Sequence, residues 1–221
     1  AVRNRLLSYI DQLFQSGRNS IYYDALFTKF SDDFLDCQMY DAEMLKNYLA
    51  YINAGKYYIE KNQLTRELGV TADSQDEIRE FLKEQGAPVE TDVICANLSH
   101  IPQDRVSQIL GSNLEFVRNS KSEYFHADVL DLSEDELENI VEYMQATIRK
   151  QLFISGTELM NAIRVRFSNI YNNYTNFTDI GWSDALKYKL GSRFSFRGNI
   201  ISDRYETLSM NDVFANLAAS S

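Results

Sequence analysis

Ile21-Tyr22-Tyr23-Asp24-Ala25-Leu26 returns in altered form as Val89-Glu90-Thr91-Asp92-Val93-Ile94, and again as Ile154-Ser155-Gly156-Thr157-Glu158-Leu159. The copies start 68 (89 − 21) and 65 (154 − 89) residues apart. Each reads as a short extended piece running into a helix. Each is preceded by a helix-period segment and followed by a second helix and two aromatic-rich strands. That spacing fits a small folded domain better than a solenoid repeat of roughly 20 to 50 residues. Units of this size bury proportionally little surface, so they are expected to pack on one another.

Working outward from these anchors gives three units, 1–72, 73–132 and 133–221, in a mainly α chain with small β-wings (α+β). The first opens on Val2, Leu6, Leu7, Ile10, Leu13 and Phe14, one helical face, closed by Gly17. After the strand from Ser20 to Tyr23, Asp24 is expected to cap a helix carrying Leu26, Phe27, Phe30 and Phe34. Ser31 to Tyr40 reads as a long turn. Asp41 starts the next helix, with Met44, Leu45, Tyr48, Leu49 and Ile52, stopped by Gly55. Lys56 to Ile59 reads as a strand.

In the second unit Asp73 is an N-cap candidate. A short helix runs from Asp92 to Leu98, and Pro102 suits a helix start. A hairpin follows, Leu114 to Arg118 and Glu123 to His126, about the turn Asn119 to Ser122. The third unit has two capping-box patterns, Ser133 with Glu136 and Ser155 with Glu158. Tyr171 to Asp179 reads as a loop insertion, and Trp182 to Leu190 as a helix. Arg193 to Phe196 and Ile200 to Ser202 form a wing around Gly198. A last helix is expected near Met210 to Ala219.

Helix, short strand, helix, helix, two-stranded wing is the order of the winged helix, a helix-turn-helix variant. The chain resembles a tandem winged-helix array over nearly all of residues 3–204. The residues carrying the likeness are Ile21, Val89 and Ile154 in the first strands, together with the three aromatic wings. The resemblance implies DNA binding or protein assembly. The long turns at 31–40 and 171–179 depart from the pattern.

The chain is acidic, with 22 Lys and Arg against 32 Asp and Glu, net −10. That argues against a protein coated in nucleic acid. The charge is uneven, however. Residues 73–133 carry 5 basic and 12 acidic groups, net −7, whereas residues 149–204 carry 9 and 4, net +5. Lys187, Lys189, Arg193, Arg197 and Arg204 span the third unit's last helix and wing. In a helix-turn-helix protein such cations hold phosphates while the helix enters the major groove. The alternative is a solvated or internally paired basic face. Two partner readings follow: duplex DNA on the third unit, or a protein partner or second copy on the first two, with the acidic middle unit docking a basic surface.

No catalytic motif is present: GxSxG, GxxxxGK[ST], GxGxxG and HExxH are all absent. The acidic run Ser133-Glu134-Asp135-Glu136 lacks the alternation and glycine of a calcium loop; it suits a helix N-terminus. His100 is expected to hydrogen-bond locally, and His126 to lie half-exposed on a wing. Cys37 and Cys95 are read as buried or semi-buried thiols, with no spacing that implies a disulfide. The aromatic pairs Tyr22/Tyr23, Tyr57/Tyr58, Tyr124/Phe125 and Phe194/Phe196 are expected to put one ring in the core and one on a half-covered sheet. The reading is therefore a non-enzymatic, cofactor-free module. No apolar run is long enough for a membrane span. A cytoplasmic setting is the expectation, and the missing initiator methionine suggests a stretch of a longer protein.

Overall fold

The computed structural model describes residues 2–70 and 73–204, so the helix expected near Met210 to Ala219 lies outside the described residues. It is mainly helical, with three antiparallel three-stranded sheets among those residues, an α+β architecture. The expected element order occurs three times.

The first repeat comprises α1 (Val2–Gln15), β1 (Ser20–Tyr22), α2 (Tyr23–Lys29), α3 (Ser31–Leu35), α4 (Ala42–Ile52), β2 (Tyr58–Ile59) and β3 (Gln63–Thr65). The second has α5 (Ser74–Gln85), β4 (Val89–Glu90), α6 (Thr91–Asn97), α7 (Gln103–Ser112), β5 (Phe116–Arg118) and β6 (Glu123–His126). The third has α8 (Glu134–Gln151), β7 (Ile154–Ser155), α9 (Gly156–Val165), α10 (Ser168–Tyr171), α11 (Asp179–Leu190), β8 (Phe194–Arg197) and β9 (Ile200–Asp203). In every sheet the last strand lies in the middle, pairing with the short first strand and with its hairpin partner.

Backbone packing divides the described residues into two compact units. One takes residues up to Phe81 together with Thr91–Ser112; the other takes Leu82–Glu90 and the described residues from Asn113 onward. The cut falls inside the second repeat, not at its ends. Each unit has its own apolar cluster. The first is built around Leu6, Ile10, Leu26, Phe34, Leu45 and Leu49. The second is built around Ile140, Met144, Leu159, Ile163, Trp182 and Leu186.

Local chemistry explains most boundaries. Asp41 caps α4 by accepting the Met44 amide at 2.7 Å. Ser133 and Glu136 form the full capping box of α8. At Ser155 only half of the expected box forms: Ser155 accepts the Glu158 amide, but the Glu158 carboxylate accepts from Gln151 Nε2 at 2.8 Å instead. Gly198, with φ +59°, makes the tight β8–β9 turn possible.

Three further expectations are corrected. Asp24 does not cap α2, which begins at Tyr23 after Tyr22 and leaves Asp24 in the first turn. Ser31 to Tyr40 is not one long turn, since it holds α3, whose Phe34 is buried. Tyr171 to Asp179 is not a loose insertion either. Tyr171, Tyr174 and Phe177 pack around the fully buried Trp182, with ring centroids 5.6–6.5 Å away.

Candidate interaction surfaces

The last helix of each repeat, α4, α7 and α11, has one internal pattern. Its fourth and eighth residues are buried: Leu45 and Leu49, Val106 and Leu110, Trp182 and Leu186. Positions three, six and ten form a different stripe, because residues three, four and seven apart share a helical face. That outward stripe reads Met44, Asn47 and Tyr51 on α4, Arg105, Gln108 and Ser112 on α7, and Gly181, Asp184 and Tyr188 on α11. In a groove-binding helix it is the stripe that would meet DNA.

On α11 the stripe meets the second repeat's sheet. The helix packs on β5 and on the 3-10 turn Ala127–Val129. Gly181 lies so close that a Cβ there would sit 2.5 Å from Asn119 Oδ1 and 3.1 Å from a Phe125 ring carbon. Asn119 is almost fully buried and ties the helix start down. Its Oδ1 accepts the Thr178 amide at 2.8 Å, and its carbonyl accepts the Thr178 hydroxyl. Its Nδ2 donates to the Asn176 carbonyl at 3.2 Å and to the Glu123 carboxylate at 3.0 Å. Phe125 stacks on Phe177 at 4.3 Å. Burying a phenylalanine contributes about 3 kcal/mol, and such a stack about 1 kcal/mol more. Burial pushes the Asp184 carboxyl above its ordinary range, against the pull of Lys187 and Arg118. Tyr188 lies edge-on to the His126 ring at 6.4 Å.

The five sequence-predicted cations follow from this packing. Arg193 makes a two-pronged ion pair with Glu138, at 2.6 and 3.1 Å, which holds that carboxyl below its usual range. Arg204 donates to the carbonyls of Gly191 and Ser192 at 3.3 and 3.0 Å, just past the end of α11. Burial pulls the Lys189 ammonium below its ordinary value, opposed by Asp128 and Asp131. Lys187 is half-buried beside Asp184. Arg197 stands exposed at the end of β8. Two of the five, Arg193 and Arg204, are thus already engaged by protein groups.

On α7 the contact lies in the first turn. The Arg105 guanidinium sits 5.1 Å over the Tyr22 ring and donates to Ser74 Oγ at 3.2 Å. The Tyr22 hydroxyl bonds Ser74 Oγ at 2.9 Å, and the Tyr22 amide donates to the His100 carbonyl at 3.0 Å. Ser20, Tyr22, Gln63 and Thr65, the outward-facing residues of the first sheet, are all buried. Gln108 and Ser112 are exposed. So the third helix position touches the preceding repeat's sheet twice, as Arg105 on Tyr22 and as Gly181 on Asn119.

On α4 the stripe is open. Met44 is 41% exposed and Tyr51 88%, with Tyr40 at 63% just ahead of the helix. Sequence reasoning passed over this stripe, although the spacing of Met44, Asn47 and Tyr51 was there to be read.

The histidines are both interior. His100 Nε2 lies 2.6 Å from Glu77, a hydrogen-bonding partner 23 residues away in the chain. His126 is not the half-exposed wing residue expected. It is buried, with Nε2 3.2 Å from Glu115 and Nδ1 accepting the Asp128 amide at 3.1 Å. Burial drives its pKa below the ordinary value, while Glu115 and Asp128 pull it back up. Cys37 is exposed, contrary to expectation, and Cys95 is half-buried; neither is in a disulfide. Of the aromatic pairs, Tyr58 is exposed while Tyr22, Tyr23, Tyr57, Phe125 and Phe194 are buried. Among the described residues no three His, Cys, Asp or Glu side chains are grouped to hold a metal, and no helix is long and apolar enough to cross a membrane.

No protein-family model matches this chain, and no curated protein matches its sequence.

Proposed function

We propose that this chain is a tandem winged-helix module for protein interaction, a non-enzymatic scaffold in which the last helix of a repeat serves as a seat for a β-sheet and not for a DNA groove. One observation carries the reading. The start of the α11 stripe, which a groove-binding helix would leave free, lies against the second repeat's sheet at Gly181, with Asp184 half-buried behind it. The engagement of Arg193 by Glu138 and of Arg204 by backbone carbonyls supports it further. A phosphate would have to displace those partners, and binding through few cations is modest and salt-sensitive.

Duplex DNA titrated by fluorescence anisotropy at low and moderate salt tests this reading. The expected result is no saturable binding that depends on Lys187, Lys189, Arg193, Arg197 or Arg204. Micromolar binding that falls steeply with salt, and falls again at least tenfold in Arg193→Ala/Arg197→Ala, would return the third repeat to duplex recognition.

A further inference from the structure

From the repeat geometry we infer that the α4 stripe, Tyr40, Met44, Asn47 and Tyr51, seats the third repeat's sheet from a second copy of this chain, in a head-to-tail contact. The inference rests on the interaction reading above and names its partner.

The argument begins with what covers equivalent positions. Arg105 meets the sheet of the repeat before it through Tyr22, and Gly181 does so through Asn119 and Phe125. Met44 occupies that same third position and meets nothing of the kind: it is exposed, with Tyr51 at the tenth position more exposed than Tyr188 at its own, 88% against 41%. An apolar stripe of this sort next to polar residues marks a binding surface.

Elimination then picks the occupant. The outward residues of the first sheet are buried, and Val117 and Phe125, which pair across the second, belong to the apolar cluster around Trp182. Among the described residues the third sheet is left. Its β8–β9 pairing sets Phe194, Phe196 and Ile201 toward their own cluster, and so turns Ser195, Arg197 and Ile200 the other way. On that face Arg197 is exposed and Ser195 and Ile200 are half-buried, while Ser202, opposite Ser195 on the central strand, is buried, so the open part of the face is its hairpin end. In the ladder, Arg197 stands where Asn119 stands in the second repeat, next to the hairpin turn.

Charge agrees with this pairing. Four exposed acids, Asp32, Asp36, Asp41 and Glu43, lie in or beside the segment leading into the stripe, and the hairpin end of the third sheet carries the exposed Arg197. A contact of this kind is heterologous, so it leaves one free face of each type and continues beyond a dimer unless it closes into a ring.

Sedimentation equilibrium of the full chain over a micromolar to submillimolar range tests the proposal. The expected weight-average mass rises with concentration past twice the 25.6 kDa monomer. Met44→Asp/Tyr51→Asp holds the chain at monomer mass, and so does Ser195→Asp/Arg197→Glu, each with an unchanged circular-dichroism spectrum. An equimolar mixture of the two variants gives one-to-one dimers and nothing larger, because only one intact pair of faces remains. A wild type that stays monomeric throughout, or association that both variants leave intact, overturns the proposal. Neither result touches the scaffold reading, which stands or falls on the duplex titration.

Discussion

α4 and α11 are built alike and live in different surroundings. Both start behind a side-chain cap, Asp41 and Thr178, and both bury their fourth and eighth residues. They differ on the stripe at positions three, six and ten. On α11 that stripe starts with a glycine and lies against a sheet; on α4 it starts with a methionine and is open. The residue at position three follows the neighbour, not the helix. Glycine is a poor helix former, costing about 1 kcal/mol relative to alanine in a helix interior. Its presence at position 181 makes sense only because Asn119 and Phe125 leave no room for a Cβ.

Exchanging the two residues is the strongest way to break the comparison. Gly181→Met forces Asn119 off Thr178 and is expected to lower stability by about 3 kcal/mol, the range of overpacked cores with lost buried hydrogen bonds. Met44→Gly loses only helix propensity and is expected to cost about 1 kcal/mol. Urea unfolding of both variants measures the difference, and similar losses would mean that the two stripes are equally open.

Asn119→Ala comes next. It removes the acceptor of the Thr178 amide and the donor to Asn176 and Glu123, and keeps the backbone bond from the Asn119 amide to the Glu123 carbonyl. A loss of about 2 kcal/mol is expected, since buried partners are left unpaired. Asn47→Ala on α4 is the matched control and is expected to change stability by less than about 0.5 kcal/mol, as for an exposed surface site.

A smaller effect sharpens the comparison through pH. Burial lowers the His126 pKa in the folded chain below the unfolded value, against the upward pull of Glu115 and Asp128. The unfolded chain then binds the extra proton, and the stability from His126 is present above about pH 6.5 and falls as pH drops below it. The urea midpoint of the wild type should fall on acidification more than that of His126→Asn. Parallel falls would remove His126 from the account. The smallest effect belongs to Arg193→Ala. Glu138 and Arg193 pair at the surface, where such pairs contribute little. No resolvable change in the midpoint is expected, even though the residue was a candidate phosphate ligand.

The sequence made the helices legible where one face is apolar, as on α1 and α8, and it marked true caps at Asp41 and Ser133. It also carried the three-fold order of elements. What it hid was long-range. Glu138 lies 55 residues from Arg193, so a local count of charges read a free cation where a pair exists. Strand alternation predicted one covered face for the second sheet, but α11 covers the other at Asn119 and Phe125, while His126, on the face opposite Phe125, is buried beside Phe116 and was judged half-exposed. The Asn- and Thr-rich composition of 171–179 concealed three aromatic rings spaced to close around Trp182. The candidate site was the least legible part, because a stripe such as Met44, Asn47 and Tyr51 gains meaning only beside its covered counterpart.

Cysteine accessibility tests the central contrast most directly. In a Cys37→Ser/Cys95→Ser background, Asn47→Cys and Asp184→Cys place one thiol at the sixth position of each helix. Maleimide labelling of the native protein, at dilutions where it is monomeric, reads their exposure. The account predicts fast labelling of Asn47→Cys and protection of Asp184→Cys by at least tenfold, lifted in urea. Equal native rates at the two positions would contradict it.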